Sequence, residues 1–151
     1  MTDDKRSMLR HLLATIVYRG DKYLANAPAS VGTYGAGESG RTPVEILSHI
    51  NGLLLYARSF LTHCESTRPQ QADWDAEVKR FHELAAELDE VMARGTPVAG
   101  ATEEQLLQGP LSDILVHLGQ ISILERLAGF PPPDDENYVH APIRIPEAGA
   151  T

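Results

Sequence analysis

Apolar residues recur at helical spacing in four segments of the chain, and no segment of convincing period-two alternation competes with them. The first segment, residues 4–26, places Met8, Leu12, Ile16 and Leu24 on a broad apolar face and ends before Pro28. The second opens on Thr42-Pro43-Val44-Glu45, which combines Thr at the N-cap, Pro at the first helical position and Glu at the third of a capping box. Its stripe runs Ile46, His49, Leu53, Tyr56 and Phe60, and the helix stops near His63-Cys64, ahead of Pro69. The third, residues 71–94, repeats Trp74, Val78, Phe81, Ala85, Leu88 and Met92 at alternating spacings of four and three, and Gly95 and Pro97 end it. Thr102 and Gln105 form another capping box that opens a short helical lead-in, interrupted at Gly109-Pro110. The last helix then runs from Leu111 to Ala128 and stops at Gly129.

Four amphipathic helices bury their stripes most simply in an all-α four-helix bundle. The Gly-, Ser- and Ala-rich residues 27–40 form a long crossover link, and the prolines at 131–133, 142 and 146 predict an extended C-terminal tail over residues 130–151. Up-down-up-down is the simplest topology, but the links around 27–40 and 64–70 are long enough for others. At 151 residues and 42% hydrophobic content the chain is one domain with a real core.

A formal charge of −8 argues against nucleic acid or an anionic membrane as the main partner, since both would repel it. Neither a signal-peptide apolar region nor a membrane span is present, which predicts a cytoplasmic protein. Cys64 is the single cysteine, so an intrachain disulfide and a Cys-rich zinc site are excluded.

The chemistry concentrates on the last helix. At ~100° per residue, His117 lies about 40° from Asp113 and Gln120 about 20° on the other side, so the three share one face, which Leu124 and Leu127 continue. Those leucines, with Ile114 and Ile121 beside them, predict an inward face and a buried site at one end of the bundle. Ionisable groups in such a setting need a partner. Asp113 and His117 at i and i+4, joined by His49 from a facing helix, supply three ligands and leave coordination positions open, as catalytic metal sites do. Spacing by itself favours a plainer account, in which Asp113 sits in a helix first turn, pairs with His117, and His49 is a core histidine bonded to backbone.

Other motifs carry less. Gly35-Ala36-Gly37-Glu38-Ser39-Gly40 matches GxGxxG letter for letter, but without a parallel sheet it reads as a flexible loop and candidate lid. His63-Cys64 reads as a helix-end cap, His11, His82 and His140 as solvated or structural, and Tyr56 as a core residue with reach into a pocket.

The run Asp113-x-x-x-His117-x-Gly119-Gln120-Ile121 followed by Leu124, Arg126, Leu127, Ala128 and Gly129, with Pro43-x-x-x-Leu47-x-His49-Ile50 upstream, resembles the DinB-like superfamily of bacterial four-helix-bundle proteins. The resemblance covers nearly the whole chain in helix order. It implies a divalent metal (Zn, Ni, Mn or Fe) held by His49, Asp113 and His117, with Gln120 and Tyr56 as supporting or substrate-pocket residues. Asp113 replaces the histidine common at its position; the mycothiol-dependent isomerases, a related branch, carry Glu there. Leu118 stands where a basic residue is often found. The resemblance further implies a metal-dependent thiol S-transferase or hydrolase acting on a small molecule, with a low-molecular-weight thiol such as bacillithiol or mycothiol as cosubstrate. No general base is evident. The alternative is a non-catalytic metal- or ligand-binding stress protein, dimerising through exposed apolar positions on the first and third helices, in which the Asp/His cluster is structural.

Overall fold

A computed structural model describes residues 3–35, 37, 38, 40–63 and 67–147. Four long helices are α1 (Asp4–Leu24), α2 (Pro43–Thr62), α3 (Trp74–Ala93) and α5 (Ser112–Leu127); α4 (Glu103–Leu106) is a single turn ahead of the last. No strand occurs among the described residues. The local signals explain the boundaries. Thr42 Oγ1 accepts from Glu45 N while Glu45 Oε2 accepts from Thr42 N at 3.0 Å, and Thr102 with Gln105 repeats the exchange at α4. Asp73 caps α3 by accepting from Ala76 N at 2.9 Å, which starts that helix three residues later than its periodicity suggests. Gly95 and Gly129, at φ of +75° and +95°, turn the chain out of α3 and α5.

The topology is up-down-down-up, in place of the simplest up-down-up-down. Helix α1 packs against α3 and α5, and so does α2, which puts α1 and α2 across a diagonal. Arg10 meets Asp89 and Asp21 meets His82, so α1 and α3 are antiparallel. Asn51 meets Glu77 and Arg58 meets Glu87, so α2 and α3 are parallel. A parallel neighbour requires the link between them to return along the whole helix. Residues 63–73 can stretch roughly 36 Å at ~3.3 Å each, enough to pass a 20-residue helix of about 30 Å.

The core contains α3 as its pattern predicts, with Trp74, Phe81, Ala85, Leu88 and Met92 buried. On α1, α2 and α5 the centre of the buried stripe is rotated from the expected one by about one residue, about 100° around the axis, although Ile16, Leu24, Ile46, Ile114, Ile121 and Leu124 are buried as expected. Helix α2 buries Leu47, Ile50, Leu54, Ala57 and Leu61, while His49, Leu53 and Phe60 are half-buried and Tyr56 is exposed. Helix α5 buries Ile114, Leu118, Ile121, Leu124 and Glu125; Gln120 and Leu127 are exposed. Helix α1 buries Leu9, Leu13, Ile16 and Leu24 and leaves Met8 exposed. The face holding Asp113 and His117 is therefore the seam between α2 and α5, not the inside of the bundle. Exposed apolar side chains also fall differently from expectation: Met8 lies on α1, but Val116, Ile123 and Leu127 lie on α5 and none of the large ones lies on α3.

The connection after α1 contains a 3-10 turn, Ala29–Thr33, that buries Val31 and Gly32. A Cβ on Gly32 would lie 3.0 Å from Trp74 Cβ, so this part of the link is packed rather than loose. Beyond α5, Glu136 accepts from Tyr18 at 2.5 Å and pairs with Lys22, and the Arg19 guanidinium lies 3.8 Å from the Tyr138 ring centroid. These contacts hold the C-terminal segment against α1. No helix among the described residues is long and apolar enough to cross a membrane.

Candidate metal centre

Pro110 lacks an N–H and cannot continue the preceding turn, and Gly109 takes φ −91°, ψ −105°, so the backbone breaks here and α5 starts afresh at Ser112. Asp113 thereby stands in a helix first turn, where the dipole favours a carboxylate. One turn on, His117 Nε2 lies 3.3 Å from Asp113 Oδ2, and His117 Nδ1 lies 2.8 Å from Gln120 Oε1. From α2, the His49 ring meets His117 edge-to-face, with centroids 4.6 Å apart and planes at 87°. Each of His49, Asp113 and His117 offers one ligand atom, and these atoms lie within 4.8 Å of one another.

The residues fit a divalent ion. Gln120 Oε1 is an acceptor, so His117 Nδ1 donates to it, and Nε2 is the ring nitrogen turned on the Asp113 carboxylate. Either a proton or a cation on Nε2 closes that contact. The 3.3 Å separation is longer than an ordinary N–H···O bond and matches the ~3.3 Å edge of a tetrahedron with ~2.0–2.1 Å bonds. Gln120 does what an outer-shell group does at such sites, fixing the ring tautomer and orientation. Burial pushes the His49 imidazole below its ordinary pKa, and His117, Arg41 and Arg68 push it further down, against an opposing pull from Asp113. The neutral form favoured there is the one that binds metal.

The site opens to solvent on the Asp113 side. Asp113 keeps 47% of its side-chain surface, against 13% for His117. A groove of about 420 Å³, lined by Leu53, Tyr56, Pro110, Asp113 and Val116, runs from it along the α2–α5 seam. Tyr56 stacks edge-to-face on Phe60 at 4.9 Å and forms the groove wall, so its exposure has a local use.

The remaining candidates lie elsewhere. Ala36, Ser39 and Cys64 fall outside the described residues, which leaves the GxGxxG loop and the His63-Cys64 pair described only in part. His63 is the left-handed C-cap of α2, at φ 57°. His82 bridges Asp21 at 2.6 Å and Val78 O at 3.0 Å, a link between α1 and α3; His11 and His140 are exposed. Pattern reading missed Arg41, Arg68 and Glu125. Arg68 reaches the site only because the link after α2 returns along it, which no local signal encodes. Glu125 is buried with Oε1 unpartnered, and burial pushes its carboxyl up to about 7.

No family model, no curated protein and no solved structure matches the chain.

Proposed function

We propose that the chain binds a divalent metal through His49, Asp113 and His117 and uses it for chemistry on a small molecule, as a thiol S-transferase or hydrolase of the DinB-like kind. The observation that carries this reading is the convergence of three ligand atoms from two helices within 4.8 Å, with His117 oriented by Gln120. A bound divalent ion lowers the pKa of a coordinated thiol or water and supplies a nucleophile near neutral pH. The chain's own residues hold and orient the ligands, and the groove beside Tyr56 receives the substrate. Apart from Asp113 and the Tyr56 phenol no ionisable group lines the groove among its described residues, which suits a thiol better than a difficult hydrolysis.

A second reading is a non-catalytic binding protein whose Asp113–His117 pair is structural; their mutual contact at 3.3 Å favours it. In either case a homodimer would use the α5 face of Val116, Ile123 and Leu127. The two readings separate in one assay. Zinc-loaded protein is mixed with a chromogenic electrophile and bacillithiol, mycothiol or glutathione, beside a His49→Ala, His117→Ala double variant. Thiol-dependent loss of the electrophile with the parent alone is expected; equal rates for parent and double variant would remove the catalytic reading.

A further inference from the structure

The α1–α3 seam lies across the bundle from the α2–α5 seam that holds His49, Asp113 and His117. A second pocket, of about 320 Å³, opens there beneath residues 142–146 of the C-terminal segment. Ala14 and Val17 of α1 and Ala85 and Ala86 of α3 line its middle, with Pro142, Ile143 and Pro146 as its roof. The chemistry proposed for the metal makes no use of it.

Both ends of the pocket are polar and already paired. At one end Arg10 Nε and Nη2 donate to the two Asp89 oxygens at 2.8 and 3.0 Å. At the other, His82 Nε2 lies 2.6 Å from Asp21 Oδ1. His82 and Asp89 are seven residues apart on α3, so ~10 Å of seam separates the two pairs. The roof is pinned on either side of this span. Tyr18 and Lys22 hold Glu136 before it, and Arg10 Nη2 donates to Pro146 O at 3.1 Å after it. Between those points Ile143 N is spent on Ala141 O at 2.8 Å, and Pro142 and Pro146 have no N–H to offer the helices. The roof therefore bridges the hollow without filling it.

We propose that this pocket is a second ligand site, independent of the metal centre, for small neutral aromatic molecules of the indole kind. Volume sets the size of the ligand. A cavity of about 150 Å³ admits one benzene, and this pocket offers roughly twice that along ~10 Å, which suits two fused rings. Charge sets its character. An anion would lie against Asp21 and Asp89, and a cation against Arg10 and the exposed Arg144, while the side chains lining the middle are all hydrocarbon. Asp21 Oδ2 takes no hydrogen bond among the described residues, which leaves one acceptor at the pocket's end for a ring N–H.

The test is an NMR titration of the full chain, methyl-labelled at alanine and isoleucine, with indole, indole-3-acetate and tryptamine, in zinc-free and zinc-treated samples. It is repeated on Ala86→Phe, which places a ring in the pocket from an exposed position and leaves the core untouched. Indole should shift the methyl signals of Ala14, Ala85, Ala86 and Ile143 saturably, to the same extent with and without zinc, and bind more tightly than either charged analogue. The variant, at unchanged Tm, should bind indole more weakly by roughly tenfold or more. No saturable shift at those methyls, tighter binding of a charged analogue, or undiminished affinity in the folded variant would each overturn the proposal. If Ala86→Phe fails to fold, the methyl map of the parent decides. A failure of zinc to bind would count against the metal centre alone.

Discussion

Replacing Glu125 by Gln should stabilise the protein in a strongly pH-dependent way. Glu125 is 8% exposed, its Oε1 has no hydrogen-bond partner, and its carboxyl is pushed from 4.5 to about 7 by burial alone. A carboxyl with a raised folded-state value holds its proton in the native state while the unfolded chain has released it. Stability therefore falls as pH rises from about 4.5 to about 7 and is flat on either side. The full penalty is about 3 kcal/mol, and the part that accrues between pH 5 and pH 8 works out to ~2.5 kcal/mol. Gln is isosteric and never ionises, so costs common to both side chains cancel when the two pH values are compared. Urea unfolding of parent and Glu125→Gln at pH 5 and pH 8 should show the variant's advantage growing by ~2.5 kcal/mol at the higher pH, a rise of roughly 5–10 °C in relative Tm. An advantage that is equal at both pH values, or absent at pH 8, would refute the account of Glu125 as an uncompensated buried acid.

Two other perturbations test how the frame positions the site. Glu77 is fully buried, with Oε1 accepting from Ala72 N at 2.9 Å and Arg80 at 2.7 Å and Oε2 from Asn51 at 2.7 Å. Glu77→Ala takes the acceptor from all three, leaving Ala72 N without its partner, Asn51 with the Glu77 carbonyl alone and Arg80 to solvent, and should lower stability by about 3 kcal/mol in urea unfolding; a loss under about 1 kcal/mol would mean that water replaces the network. Thr42→Ala removes the α2 cap a few residues ahead of His49 and should lower stability by about 1 kcal/mol, with faster amide exchange confined to the first turn of α2; unchanged exchange there would show that Pro43 suffices.

Helix positions and caps were legible in the sequence because they depend on local chemistry: Thr42-Glu45, Thr102-Gln105, Gly95 and Gly129 act on their own turns. The inward face of α3 was legible as well, since Lys79, Glu83, Glu87 and Glu90 leave one apolar side. Helices α1, α2 and α5 carry two adjacent apolar stripes. On α2, Ile46-Leu53-Phe60 runs beside Leu47-Ile50-Leu54-Leu61, and periodicity gives the same score to either. The choice is made by packing against α3 and α5. That one-residue displacement moves His49, Asp113 and His117 from the core to a solvent-reached seam. The ligand-type residues could still be singled out because their spacing on α5 is local. The parallel α2–α3 pairing is a long-range property, and with it the position of Arg68.

The measurement that bears most directly on the metal centre is elemental analysis of tag-free protein after exposure to Zn²⁺, Ni²⁺ and Mn²⁺, beside Asp113→Ala and His117→Ala. The account predicts about one divalent ion per chain in the parent and its loss in either variant. No bound ion in the parent, or full occupancy in both variants, would contradict it.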